Sequence, residues 1–285
     1  VSILKDINVI NDLSLEVIID KVETVWSFST NNQGGNAAGI CFTEQSLDNN
    51  QMQVIAKKVG YSETVFIKII DSKQIGMRYF TPSEEVPLCG HATIAGFYWL
   101  LVNKVISEGE FTLIAGNQYL KVWVEGDCIF MEQPPAHIVP VHSRNLEIVS
   151  NLSDQIDMRG QIYTASTGIV DLMLPFKTSD GLEHFIPNFD LISDVCIALG
   201  VQGIHAFSKV NESHYVVRNF APLLGINEES ATGTSNCALA CLLDMENNGV
   251  ISYEFSQGMW MQQPSRILTR RLKNGHFSVG GSCRI

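Results

Sequence analysis

The sequence has no C-x-x-C pair, no long apolar run, no basic excess and no proline- or serine-rich linker. Each absence removes a class of protein. Its seven cysteines, at 41, 89, 128, 196, 237, 241 and 283, are scattered and odd in number. That argues against a disulfide framework and fits reduced thiols in a cytoplasm. The histidines at 137, 142, 184, 205, 214 and 276 show no metal-ligand spacing, and no metal is expected. No stretch of about 18 apolar residues is present, so no membrane-spanning helix is expected. Lys5, Asp6, Asp12, Glu16 and Asp20 interrupt the first twenty residues, which excludes the apolar core of a secretory leader there. The formal net charge is -11, whereas a nucleic-acid partner calls for a basic face. Arg266, Arg270, Arg271 and Lys273 form one short basic patch, read as a solvated strand edge.

What is present is a large apolar fraction and a duplication. Of 285 residues, 45% are hydrophobic and 17% charged, the composition of a globular chain with a sizeable core. Met77-Arg78-Tyr79-Phe80-Thr81-Pro82 reappears as Val217-Arg218-Asn219-Phe220-Ala221-Pro222, 140 residues later. Gly60 and Gly200, each closing an amphipathic stretch, are separated by the same interval. Two copies at so long a period indicate two like lobes rather than a solenoid. The first lobe is expected over 1–127 and the second over 128–265, with the strand from about 266 to 285 returning to the first. Two like lobes leave a cleft of the kind that holds small ligands.

Hydrophobic periodicity supplies the elements. Residues 22–29 alternate as a strand, 34–39 read as a glycine turn, and Ile40 restarts a strand. A helix from about Leu47 carries the stripe Met52, Ile55, Ala56 and Val59 and stops at Gly60. Strands follow over 64–70 and 76–80. The stretch Ala92–Val102 is apolar all round, as is Cys237–Leu243, and a helix of that kind is buried on every side. One such helix per lobe implies a sheet curled around it, not a doubly wound sheet. The second amphipathic helix, Leu191–Leu199, presents Leu191, Val195, Ala198 and Leu199. Gly280-Gly281 reads as a bend in the last strand.

Three places carry possible chemistry. Gly90 and Gly233 each open one of the two apolar helices, and helix starts offer free N–H groups to an anion. Such starts more often meet only water. Glu63, in Tyr61-Ser62-Glu63-Thr64, stands between a helix stop and a strand. Apolar walls there are expected to raise its pKa toward neutrality and suit it to proton transfer, although a carboxylate at such a place is usually solvated. His91, just inside a helix N-terminus, is expected to be neutral, and its plainer reading is a cap or core histidine.

The chain resembles the PhzF-like phenazine-biosynthesis proteins, relatives of diaminopimelate epimerase, over roughly residues 22–285. The resemblance rests on Gly35–Gly39, Tyr61–Phe66, Arg78–Pro82, Leu88–Thr93, Arg218–Pro222 and Ala231–Thr234, in order and at the right separations. It implies an α+β, diaminopimelate epimerase-like fold of two pseudo-symmetric lobes, each a curled mixed sheet or barrel around a central apolar helix. It also implies a cofactor-independent and metal-independent isomerase, commonly a homodimer, that moves a proton between carbons of a small carboxylate-bearing substrate. By the family pattern Glu63 is the general acid/base, His91 orients substrate, and Glu229 stands at the second acidic position. Asn36, Ser62, Gly90, Gly233 and Thr234 are the matching substrate-binding positions. The chain departs from the pattern at Glu229 (usually Asp), Ser230 (usually Pro), Thr234 (usually Ser) and Ala37 (usually Pro). Those departures leave open a non-catalytic ligand-binding protein on the same scaffold. A cysteine-dependent racemase would need two opposed thiols; Cys89 occupies one position, and Ala231-Thr232-Gly233 supplies none at the other. Dinucleotide binding through Gly34–Gly39 fails on Asn36 and on the strand, rather than helix, that follows.

Overall fold

The computed structural model describes residues 15–246 and 249–285. Residues 1–14 of the expected first lobe, with Lys5, Asp6 and Asp12, lie outside the described residues. The chain divides into two compact units. One holds the described residues up to Asn32, then Asn36–Glu132 and Gly280–Ile285; the other holds Gln33–Gly35 and Gln133–Val279.

The first unit contains α1 (Leu15–Ile19), β1 (Glu23–Ser27), β2 (Asn36–Phe42), α2 (Asn49–Val59), β3 (Thr64–Ile69), β4 (Gln74–Phe80), β5 (Glu85–Val86), α3 (Gly90–Val102), β6 (Gly109–Ala115), β7 (Gln118–Glu125) and β8 (Cys128–Glu132). β1 pairs antiparallel with β2, β2 parallel with β3, β3 antiparallel with β4, and β4 parallel with β6. β6, β7 and β8 continue as an antiparallel meander. The last strand of the chain, Phe277–Arg284, pairs with both β8 and β1, so eight strands close a ring. The division between units falls after Glu132, not Asp127, because β8 ladders onto β7. Gly280 lies where a Cβ would come within 2.3 Å of the Ile129 carbonyl oxygen. It therefore serves a close approach of backbones in the ring, not the bend read from the sequence.

Inside the ring lies α3. Ala92, Ile94, Ala95, Phe97 and Leu100 are fully buried, each large apolar side chain stabilising by about 1.5–3 kcal/mol. Gly96 is small for a reason: a Cβ there would stand 2.9 Å from Met77 Cε. α2 lies elsewhere on the unit, where Ile55 and Ala56 join Ile18, Cys41 and Phe66 in a separate cluster. Its start is set by Asp48, which forms a capping box with Gln51, and its end by Gly60 at φ 78. The turn expected over 34–39 is shorter. Only Gly34 and Gly35 take positive φ, and Asn36 already pairs with Ser27.

The second unit contains β9 (His137–Pro140), α4 (Leu146–Ser150), β10 (Tyr163–Ser166), β11 (Val170–Pro175), α5 (Ser179–Glu183), α6 (Phe189–Leu199), β12 (Gly203–Lys209), β13 (His214–Ala221), β14 (Ile226–Glu229), α7 (Gly233–Glu246), β15 (Ser252–Gln257), β16 (Ser265–Arg271) and the start of β17 (Phe277–Arg284). The ladder runs β9–β10–β11–β12–β13–β15–β16, parallel at β11·β12 and β13·β15 and antiparallel elsewhere. β16 stays in this unit because it pairs along its length with β15. α7, the second apolar helix, packs on strands of this sheet, with Cys237, Ala238, Leu239 and Ala240 fully buried. On α6 the buried residues are Ile192, Val195 and Cys196; Leu191 is only half-buried and Ala198 is exposed. The helix is rotated toward its aliphatic Ile192 relative to the stripe read from periodicity.

The duplication is visible within each unit. Phe66 opposes Arg78, and Ala206 opposes Arg218, the same register 140 residues on. Arg78 makes a two-pronged pair with Glu85, at 2.7 and 2.6 Å, and lies 5.2 Å from the Phe80 ring. Arg218 repeats this with Glu228, at 2.8 and 2.8 Å, and lies 5.0 Å from the Phe220 ring. The surroundings differ. Arg218 also donates to the carbonyls of Leu182 and Phe185 and is buried, whereas Arg78 is 36% exposed.

Candidate active site

Glu63 and His91 meet in the first unit. Gly60 terminates α2, three residues carry the chain to β3, and the Glu63 carbonyl accepts from the amide of Gly39 at 3.0 Å. That bond fixes where the side chain leaves the sheet. His91 is the second residue of α3, and its own carbonyl accepts from Ser27 Oγ at 2.6 Å. His91 Nε2 stands 3.2 Å from Glu63 Oε2, with the histidine side chain 8% and the glutamate 20% exposed. Oε2 is buried and receives no aligned hydrogen bond among the described residues. Donor and acceptor are thus close but not aimed at one another. A fifth of the glutamate side chain remains exposed.

The electrostatics differ from the sequence expectation. Burial pushes the Glu63 pKa up, but the charge of His91 and the polar groups of His91, Ser62 and Cys89 close to the carboxylate outweigh it, and the net direction is down. Burial likewise opposes the imidazolium of His91, yet the Cys89 and Glu63 charges facing it hold its pKa well above the usual range. Cys89 is itself kept as a thiol, chiefly by burial. While Cys89 is a thiol, the anion facing His91 is Glu63. The site rests as a carboxylate beside an imidazolium, not as the raised acid and neutral imidazole read from position alone. The helix dipole counts for less than a full charge 3.2 Å away.

Of the other expected residues, Asn36 opens β2 opposite Ser27, Ser62 bonds Glu63, and Gly90 opens α3. These belong to the first unit. Glu229, Gly233 and Thr234 belong to the second. There Glu229 ends β14, and its Oε2 accepts from Thr232 Oγ1 at 2.6 Å. Gly233 and Thr234 open α7, and the Thr234 carbonyl accepts from Thr167 Oγ1 at 3.0 Å.

Two polar residues were missed from the sequence. Gln257 is fully buried; its amide donates to the Glu229 carbonyl and to Thr232 Oγ1 and accepts from Thr232 N and Asn236 Nδ2. Asp171 is buried, accepts from Ser235 Oγ, and has its pKa pushed up to about 7, by burial first and the Glu229 charge next. Cys89, read from the sequence only as a candidate racemase thiol, has its Sγ 3.4 Å from His91 Nδ1. For Asp171 a signal was available: a lone carboxylate inside Val170–Pro175, otherwise apolar, marks a buried polar group.

Glu63, Cys89 and His91 are also a set with metal-ligating atoms, all within 4.8 Å. The sulfur is nearest Nδ1 but also lies 4.0 Å from Nε2, and the carboxylate oxygen is 3.2 Å from Nε2. A cavity of about 630 Å³ in the first unit, walled by Phe42, Leu47, Met52, Phe66 and Met77 among others, contains none of the expected residues.

Comparison with known proteins agrees with this architecture. Residues 25–282 match the family described as phenazine biosynthesis-like protein, PhzC-PhzF. A Deinococcus radiodurans protein named an uncharacterized isomerase is 32% identical over 238 residues, 78% of this chain and 75% of the relative. The Escherichia coli K12 protein YddE, also named an uncharacterized isomerase, is 30% identical over 239 residues, 80% of each chain. A solved PhzF-family structure from Bacillus anthracis superposes with a TM-score of 0.80 at 24% identity, covering 92% of this chain and 95% of that one. A hydroxyproline epimerase from Agrobacterium vitis shares the fold at a TM-score of 0.60 and 10% identity, over 92% of this chain and 89% of its own. With the family match spanning both units, this chain belongs to the PhzC-PhzF family of phenazine biosynthesis-like proteins.

Proposed function

We propose that the chain is a cofactor-independent isomerase that relocates a proton between carbons of a small carboxylate-bearing substrate. The observation that carries this reading is the half-matched pair of Glu63 and His91. A buried carboxylate oxygen with no aligned donor is rare in folded proteins and calls for an explanation; a substrate proton is the simplest one. Glu63, ionised at neutral pH, takes a proton from a carbon beside an unsaturated or carboxyl-bearing group. The charge that develops is met by the imidazolium of His91 and the N–H groups opening α3 at Gly90, donors fixed before the reaction begins. Glu63, now protonated, returns the proton at another carbon. Asn36 and Ser62 flank this pair as binding groups.

For Glu229, Gly233 and Thr234 the family resemblance is the support. Glu229 retains the charge of the usual aspartate, and Thr234 the hydroxyl of the usual serine. Loss of turnover in Glu229→Gln and Thr234→Ala tests those roles. A homodimer in the cytoplasm is the accompanying expectation, and light scattering tests the oligomer.

The test of the reaction is isotopic. The enzyme is incubated in D2O with a dihydro-hydroxyanthranilate and a panel of small unsaturated, hydroxy and amino acids, and deuterium is located by NMR. Deuterium at a single carbon, absent with Glu63→Gln, is the expected result. Undiminished exchange by Glu63→Gln would overturn the assignment. Tight binding of a panel member with no exchange, unaffected by the same change, would favour the ligand-binding protein instead.

A further inference from the structure

We infer that Cys89 is a positioning residue that sets the ring orientation and tautomer of His91. The inference rests on the proposed role of His91 only for its consequence in catalysis; the geometry stands apart from it. Cys89 is buried, and its carbonyl accepts from the Thr93 amide at 3.0 Å and from Thr93 Oγ1 at 2.7 Å. Thr93 Oγ1 is in turn 2.6 Å from the hydroxyl of Tyr79, which is fully buried. The backbone that carries the thiol is thus anchored through β4 and α3, and the sulfur itself is buried. Its sulfur reaches His91 Nδ1 at 3.4 Å and Nε2 only at 4.0 Å. Glu63 Oε2 takes the other side, 3.2 Å from Nε2.

Different groups therefore lie nearest the two ring nitrogens. When the imidazole is neutral, the thiol S–H donates to Nδ1, and the ring proton is left on Nε2. When it is charged, Nδ1–H donates to the sulfur and Nε2 still bears hydrogen. In either state His91 presents an N–H at Nε2, the nitrogen beside Glu63. A histidine without a partner at Nδ1 can place its single proton on either nitrogen. Partners behind a functional imidazole commonly fix its tautomer in this way. The thiol so placed has no need to carry the substrate proton. That separates this arrangement from a two-thiol racemase, for which the second unit has Ala231-Thr232-Gly233.

The experiment reads His91 directly and needs no substrate. Side-chain 15N–1H correlation spectra of the intact protein are recorded across pH for the wild type, Cys89→Ser and Cys89→Ala, with His91→Asn assigning the signal. In the wild type the expected signature is one Nε2–H species, with Nδ1 as the acceptor wherever the ring is neutral. Cys89→Ala is expected to give mixed tautomers and to lower the His91 titration. Cys89→Ser, which keeps a donor and acceptor at that place, restores the single species. Identical His91 tautomer and titration in wild type and Cys89→Ala would overturn the inference. If the alanine variant does not fold, thiol-directed S-methylation of the wild type removes the S–H and is read in the same way. Should deuterium exchange fail with every acid while these spectra behave as expected, the functional reading falls and the positioning role stands.

Discussion

Replacing Asp171 with asparagine should stabilise the protein above neutral pH and not below about pH 4. Asp171 is 2% exposed, and burial with the Glu229 charge carries its pKa from an ordinary 3.8 to about 7. The folded state thus holds the proton more tightly than the unfolded chain. Its contribution is fully present below the unfolded value, declines as pH rises through the interval between the two, and is gone above about 7. A difference of about 3 units corresponds to at most about 4 kcal/mol at 1.36 kcal/mol per unit. Asparagine is the neutral isostere. Its oxygen can accept from Asn219 and its NH2 can donate to Ser235 Oγ, replacing the bonds that the protonated acid makes. Urea unfolding of both proteins from pH 4 to 8.5 supplies the comparison, since the remaining titrations are shared. The variant's advantage should grow between pH 4 and 7 and then level off. Thermal midpoints should follow at about 2–4 °C per kcal/mol for a chain of this size. An equal change in stability at pH 4.5 and pH 8 would refute the reasoning.

Two further expectations complete the set. The pH profile of kcat/KM should show an acid limb below 4.5, as Glu63 loses its charge, and a basic limb well above 6.5, as the His91 imidazolium is lost; an acid limb near 6.5 would mean that a neutral imidazole is required. The duplicated arginines should differ in worth: Arg218→Met strands Glu228 and two carbonyls in a buried place and should cost about 3–5 kcal/mol, while Arg78→Met should cost about 1 kcal/mol or less, and equal losses in chemical denaturation would contradict this.

How much was legible in the sequence depended on which physical signal a residue leaves. The two apolar helices were legible because hydrophobicity on every side has one explanation, full burial, and α3 and α7 follow it. The duplicated lobes were legible because Arg78 and Arg218 sit in a repeated motif, and the ladders reproduce its interval. The pairing of Glu63 with His91 came from the family resemblance rather than from any local pattern. Its charge state was misread, because a pKa depends on the nearest opposite charge, and no spacing in the sequence states a 3.2 Å contact. Gln257 escaped for a related cause. It falls on the inward side of β15 with Tyr253 and Phe255, and alternation alone does not say that four hydrogen bonds compensate its burial. The return of the C-terminal strand to the first unit was expected from the resemblance, but its bounds were not, because ladder membership decides that Cys128–Glu132 and Gly280–Ile285 belong to that unit.

The closure of the eight-strand ring by Gly280–Ile285 carries a consequence for biosynthesis. A nascent chain leaving the ribosome has made α3 and seven of the ring's strands some 150 residues before the eighth exists. Until then β1 and β8 each present an unpaired edge, a template for mispairing. The unit translated first is the one whose barrel seals last, so truncation near residue 280 should leave an aggregation-prone product even though the Glu63 and His91 codons are intact.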